Sequence, residues 1–389
     1  MTTARQRMTL GLTLLATLVL TALGCGGGNG GGGGPTATPT RTPTRTLRPG
    51  EPTFTPTRTP AAPTATPTAT HVQVRPSPGG TDLVATIRSA PPGAIVAVPA
   101  GVYPPFTLTA SDLNGPLTVV VDTTGAITGL PGGSAVINAG GRAAAITLEG
   151  VSDLTLDGFT VRGATVAGIE VRDSSGITIR NFVARDNQRD GVRLVRSSGV
   201  RLWNNLVFNN AGIGVYVLGS TGVAVINHTL YGNRGGGLVL GDSLLPSSDI
   251  FLRNNILVGN RSPGLFADPT TTGIDSNFNL NRDGYQPPEL QGANDLAEDP
   301  FWRSPGTEDG FRIPGTNDEC AGGSVVLDAG DDAIDGELLA ILAVRTTQTD
   351  NKPDCIGAGC CPPGCVPGST DRDCAKIGQV DLGFHYEIR

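Results

Sequence analysis

The sequence predicts an all-β solenoid of short strands, about 23 residues per coil, and three observations carry that prediction. First, Ile146, Ile169, Val192, Val215 and Leu238 recur at a step of 23, as do Asn181, Asn204 and Asn227, and Asn187, Asn210 and Asn233. A further coil, 27 residues long, brings Leu265, Asn254 and Asn260 into the same columns. Second, Gly168, Gly191, Gly214 and Gly237 each open a Gly-Φ-x-Φ stretch. Third, the apolar period inside a unit is two, as in Ile169 and Val171 and then Ile177 and Ile179, with β-branched residues dominant, which is the signature of strands. A unit this short cannot bury a core alone, so its copies must stack.

Taken from the start, residues 1–25 read as a bacterial export signal, with Arg5 and Arg7 ahead of an apolar run from Leu10 to Leu23. The run is too short for a membrane-spanning helix. It ends in Ala22-Leu23-Gly24-Cys25, which resembles the lipobox of bacterial lipoproteins, although the usual order places Leu before Ala. The resemblance implies a lipid on Cys25, and plain secretion is the alternative. Residues 26–71 are a glycine run followed by a Pro-Thr repeat. Neither can bury a core, and a Pro-rich chain extends at about 3 Å per residue, a reach on the order of 100 Å for the stalk.

Charge divides at the same boundary. Residues 1–71 carry six Arg and one Glu, +5, and the whole chain is −7, leaving −12 for the remainder. An acidic folded part is not the footprint of a nucleic-acid binder.

The solenoid is expected over residues 72–285. Thr81-Asp82 ahead of Leu83, Val84 and Ile87 gives an N-cap and helical apolar spacing, so one short helix should precede the strands and cap the open end. Pro91-Pro92-Gly93 ends it. Ala94 to Pro99, Phe106 to Thr109 and Leu117 to Val121 read as strands of irregular opening coils, and regular coils run from about Ala143 to Asn281. Asn181, Asn204, Asn227 and Asn254 form one structural ladder, and Asn187, Asn210, Asn233 and Asn260 another. Stacked amides satisfy inward-facing backbone groups at repeated tight turns while bonding to the Asn above and below.

Residues 286–389 form a closing segment with six cysteines, Cys320, Cys355, Cys360, Cys361, Cys365 and Cys374. In an exported chain these suggest three disulfides, with 15 possible pairings. The rival is a metal site, but the spacing lacks the paired C-x2-C knuckles of zinc.

Residues 81 to about 281 resemble the right-handed parallel β-helix of the pectate-lyase-like superfold, and within it the generic right-handed β-helix repeat proteins. Ala90-Pro91-Pro92-Gly93 through Val98-Pro99-Ala100-Gly101-Val102-Tyr103 is similar to the opening segment of such proteins. Asp299-Pro300-Phe301, Leu327-Asp328-Ala329-Gly330-Asp331 and Val380-Asp381-Leu382-Gly383-Phe384 are similar to closing segments of exported members. The resemblance implies an asparagine ladder between the second and third strands of each coil, which makes Gly168 to Arg172 and its equivalents the first strand.

Outward positions of that first strand alternate with core positions. They include Glu149, Glu170, Arg172, Arg193 and Tyr216. Glu170, Arg172, Arg193 and Tyr216 are the ligand-binding candidates, because arginine pairs with the carboxylates of a uronate chain and tyrosine stacks on sugar rings. The alternative is that Glu170 and Arg193 simply pair across strands. Outward residues of the second strand include Trp203, Ile226 and Phe251, an apolar strip that serves either as a ligand platform or as the seat of the C-terminal segment, the latter being favoured.

The resemblance also implies two chemistries, and neither signature is present. Lyases of the superfold use an arginine base with calcium held by converging carboxylates, and their Arg-x-Pro-x-x-Arg pattern is absent; hydrolases use paired aspartates, and their Asn-Thr-Asp, Asp-Asp and Gly-His-Gly signatures are missing from the coils. Catalytic residues are therefore unassigned. His71, His228 and His385 have no catalytic partner visible by spacing. No cofactor is called for, apart from a weak calcium candidate at Asp328, Asp331, Asp332 and Asp335.

The expectation is a monomeric module, lipid-anchored at the bacterial surface or outer membrane. It binds a polysaccharide or another surface partner without catalysis; the alternative is a polysaccharide lyase or hydrolase.

Overall fold

The computed structural model describes residues 71–73, 82–261, 263–300, 302, 305–311, 330, 331, 334, 336–338, 345, 346, 386 and 387. The expectations at Cys25, at the other six cysteines, and at Asp328, Asp332 and Asp335 lie outside the described residues.

Three short strands make each coil, and stacking makes three parallel sheets. In one coil these strands are Ala167–Arg172, Thr178–Arg180 and Val183–Arg185, and the next coil begins with Asp190–Val195. The first sheet has eight strands, from Phe106–Thr109 to Tyr285–Gln286, the second nine, from His71–Gln73 to Thr272–Asn277, and the third eight, from Gly101–Tyr103 to Leu280–Asn281. About eight turns wind with a right hand, as crossovers between parallel strands do. Register follows the sequence period: Ile169 lies between Ile146 and Val192, and Val215 between Val192 and Leu238. Those five side chains are 0–1% exposed, and burying each contributes roughly 1.5–3 kcal/mol.

The helix spans Asp82–Ser89, and its buried Leu83 and Ile87 belong to the main core cluster. Asn114 Nδ2 donates to the Arg88 and Ala90 carbonyls at 3.0 and 3.3 Å, which ties the end of the helix to the opening coils.

Each corner is held by a column of polar side chains. Between third and first strands, Ala164 N–H donates to Asn187 Oδ1 at 3.0 Å, and Asn187, Asn210, Asn233 and Asn260 follow, each amide Nδ2 donating to the Oδ1 of the next at 2.8–2.9 Å. The column ends at Asp283, which accepts from Asn260 N–H and Nδ2 at 2.7 and 3.0 Å. A carboxylate suits the last rung, because it accepts twice and has no amide donor left to satisfy.

Between first and second strands, Ser174, Ser197, Ser220 and Ser247 form a comparable ladder, with Ser197 Oγ accepting Ser174 N–H at 3.3 Å and Ser220 Oγ accepting Ser197 N–H at 3.1 Å. Between second and third strands, Asn181, Asn204, Asn227 and Asn254 sit at φ of 51–58°, a left-handed turn that Asn tolerates better than most residues. Asn204 Nδ2 donates to Asn181 Oδ1 at 2.8 Å and Asn254 Nδ2 to Asn227 Oδ1 at 3.3 Å.

The residue after each of these asparagines points inward. That column is Phe182, Asn205, His228 and Asn255, preceded by Phe159 and followed by Asn279. It therefore changes from an aromatic stack, Phe159 on Phe182 at 5.6 Å, to a polar ladder. His228 is fully buried. Its Nδ1–H donates to Ile226 O at 3.0 Å and its Nε2 faces Asn205 Nδ2 at 3.1 Å. Burial lowers its pKa to about 4, so it is a neutral rung.

The Gly-Φ-x-Φ glycines answer to space. A Cβ on Gly191 would lie 2.4 Å from Val207 Cγ1 and 2.9 Å from Asn210 Nδ2, so the first strand passes too close to the ladder for any side chain.

Candidate functional site

The outward column of the first sheet runs Thr107, Thr147, Glu170, Arg193, Tyr216, Val239 and Phe266, each beside the next in register. Strand pleating sets this alternation, since the neighbours of each position on its own strand face the core. In the centre of the column four sequence-predicted residues meet. Arg172 Nη2 donates to Glu170 Oε2 at 2.5 Å, and Arg193 Nε lies 3.9 Å from Glu170 Oε1. The Arg193 guanidinium carbon stands 5.7 Å from the centre of the Tyr216 ring, within reach of a cation–π interaction.

Asp190 joins them. Its Oδ1 accepts Ile213 N–H at 3.0 Å, while Oδ2 lies 3.7 Å from Arg193 Nη1 and is buried with no hydrogen-bond partner among the described residues. Burial raises the Asp190 pKa above the ordinary aspartate value. The hydrogen bond from Arg172 to Glu170 raises the pKa of the Arg172 guanidinium. The two carboxylates are nearly closed off, Glu170 at 5% and Asp190 at 1% exposure, while the Arg193 side chain keeps 21% of its surface. Arg193 Nε and Arg172 Nε are buried without hydrogen-bond partners among the described residues. The site thus holds two arginines beside an aromatic ring, with less hydrogen bonding than their donors can use.

Asp190, not among the residues singled out from sequence, opens the strand that carries Arg193 and is brought to it there. Glu149 is exposed at the edge of the sheet. Val195 and Leu218 lie two residues beyond Arg193 and Tyr216, where strand alternation puts a side chain outward, yet they are 7% and 2% exposed. The longer coil lays Leu245 over this corner, where its carbonyl accepts Gly219 N–H at 2.8 Å.

The other two outward faces carry the C-terminal segment. On the second sheet Trp203 and Ile226 cluster with Leu338, with Ala224, Phe251 and Ile334 packed against them. Polar contacts fasten this strap: Arg180 to Glu337 at 2.7 Å, Arg253 to Asp331 at 3.3 Å, and a reciprocal pair in which Asp331 N–H donates to Asn254 Oδ1 at 2.7 Å and Asn254 Nδ2 to Asp331 O at 3.0 Å. On the third sheet Trp302 and Phe311 pack edge-on against Tyr231, and Phe311 against Phe208. By contrast, the hydrogen bonds, ion pairs and ring contacts of Glu170, Arg172, Arg193 and Tyr216 all run to other residues of the solenoid.

Among the described residues no group of three or more His, Cys, Asp or Glu side chains is placed to hold a metal ion. Asp331, the described member of the calcium candidate, pairs with Arg253.

The fold can now be set beside known proteins. Residues 144–286 match the family described as right handed beta helix region. The match falls on the regular coils of the solenoid. No curated protein matches the chain. Among solved structures the chain is similar to pectate lyase Pel9A, with 16% identity, TM-score 0.38, and coverage of 52% of this chain and 55% of that one. It is also similar to ORF18 of Geobacillus virus E2, with 12% identity, TM-score 0.39, and coverage of 52% and 48%. A third is the A-module of the Azotobacter vinelandii mannuronan C-5 epimerase AlgE6, with 17% identity, TM-score 0.35, and coverage of 52% and 71%. The chain spans about half the length of the first two. These likenesses are of fold.

Proposed function

We propose that this protein binds an acidic polysaccharide on the outward face of the first sheet, without chemical turnover. Arg193 is the observation that carries the reading. It lies against Tyr216, is restrained by Glu170 and Asp190 at salt-bridge distances of 3.9 and 3.7 Å, and makes no hydrogen bond among the described residues. A sugar carboxylate accepting from its guanidinium would complete a charge-assisted bond, and the Tyr216 ring beside it offers a stacking surface. Arg172, held by Glu170, is the second cation of the site. The proposal includes display at a bacterial cell surface or outer membrane through a lipid on Cys25, with secretion as the alternative. It needs no cofactor and takes the protein as a monomer.

One observation favours a second reading, a polysaccharide lyase or hydrolase acting on uronate-containing chains. Asp190 is a buried carboxyl with a raised pKa and an unbonded Oδ2 beside Arg193, and perturbed carboxyls in such settings serve general acid and base chemistry. Incubating the full chain with alginate and polygalacturonate, with and without calcium, separates the two. Retention without new unsaturated or reducing ends supports binding. Cleavage that disappears in Asp190→Asn supports the enzyme.

A further inference from the structure

The candidate face has two unlike edges. The corner between third and first strands carries exposed Arg142, Arg189, Arg234 and Arg261. Arg142, Arg234 and Arg261 occupy one column of the repeat, four coils of 23 residues and one of 27 apart, and Arg189 stands one residue beyond that column. None of the four guanidiniums makes an ion pair or hydrogen bond with a carboxylate among the described residues. Many other arginines pair with carboxylates, as do Arg88, Arg172, Arg180, Arg185, Arg196, Arg253 and Arg282, although Arg162 and Arg201 make no ion pair among the described residues. The opposite corner is acidic: Glu149 is exposed, and the carboxylates of Asp242 and Asp268 accept turn N–H groups of Leu244 and Thr270.

In a chain of net charge −7, a row of exposed arginines with no carboxylate partner among the described residues makes a local positive stripe that attracts a polyanion. We infer that this arginine row is a rail for a linear acidic polysaccharide lying along the solenoid axis, beside the Arg193 and Tyr216 site. The inference rests on the proposed binding face and adds its direction and length. Coils stack at about 4.8 Å, so Arg142 to Arg261 spans roughly 24 Å, with Arg189 about 10 Å from the start. Uronate chains carry a carboxylate on each sugar, whereas a neutral glycan offers the rail nothing. Arg189 lies close enough to Asp190 and Tyr216 to act on both electrostatically, so rail and site meet at that coil.

The test compares full-length protein with the triple variant R142Q/R234Q/R261Q, and separately with R193A/Y216A. The probes are polygalacturonate, alginate, a galacturonate disaccharide, dextran and phosphatidylglycerol vesicles. The triple variant should bind both uronate polymers on the order of tenfold more weakly at low salt, with a flatter salt dependence and unchanged thermal stability. Its binding of the disaccharide should equal the wild type's, and R142K/R234K/R261K should restore the polymer. Wild-type affinity and salt slope in the triple variant, with binding lost in R193A/Y216A, would overturn the rail and leave the face intact. Loss in the triple variant alone would support the rail and reject the Arg193 site. A wild type that retains neither polymer, whether or not it binds vesicles, would overturn both.

Discussion

Replacing Asn210 with alanine should be among the most damaging changes to this fold. The side chain is 0% exposed. Its Oδ1 accepts Asn187 N–H at 3.1 Å and Asn187 Nδ2 at 2.8 Å, and its Nδ2 donates to Ala184 O at 3.0 Å and Asn233 Oδ1 at 2.9 Å. Asn233 Oδ1 keeps the Asn210 backbone N–H as a donor at 3.2 Å, so that acceptor is not orphaned. Asn187 N–H and one Asn187 amide proton are, and each buried unsatisfied group costs about 1–3 kcal/mol. The expected loss is therefore roughly 2–6 kcal/mol. Denaturant unfolding followed by circular dichroism measures it, with Arg196→Ala as the surface control, since the Arg196–Asp173 pair is half exposed and such solvated pairs contribute little to stability. Asn210→Ala within 1 kcal/mol of the wild type would refute the claim that the column is a stability element.

Three further outcomes are expected. His228 is buried neutral, with a folded pKa of about 4 against 6.5 unfolded, so its contribution is complete above pH 6.5 and is lost as pH falls towards 4, at about 1.4 kcal/mol per unit; His228→Asn should flatten that part of a stability–pH curve. Asp190 has the opposite sign: its raised folded pKa means stability is lost as pH rises above the unfolded value near 3.9, so Asp190→Asn should melt higher than wild type at pH 7, with the gap closing in acid. Leu338→Ala should empty the seat on Trp203 and Ile226, cost about 2–5 kcal/mol of strap docking, and shift tryptophan fluorescence to the red while leaving the solenoid's circular dichroism unchanged.

The architecture was legible because a solenoid writes its geometry into one number. Ile169 and Val192 face the core for the same reason, and the step of 23 places one above the other. The serine column at Ser174, Ser197 and Ser220 follows the same step but reads as ordinary turn chemistry, because Ser-Ser-Gly is common in loops; its Oγ groups act as rungs only once stacked. The column through Phe182, Asn205 and His228 was harder still, since its members share a position and not a chemistry. At the site, Glu170, Arg172, Arg193 and Tyr216 followed from strand alternation. The depth of Glu170 did not, because it is set by how Arg172 and Arg193 lie across it, and Asp190 sits where the strand leaves its corner and the alternation has not yet begun. Nor did spacing give the contrast between the arginine corner and the acidic one, which emerges only when the coils are wound.

The most direct test of the central claim is retention of the full chain on immobilised polygalacturonate and alginate, against dextran, for wild type and Arg193→Ala. The account predicts retention on both uronate polymers, none on dextran, and at least tenfold weaker binding for the variant. Equal retention of wild type and Arg193→Ala, or no retention of either, would contradict it.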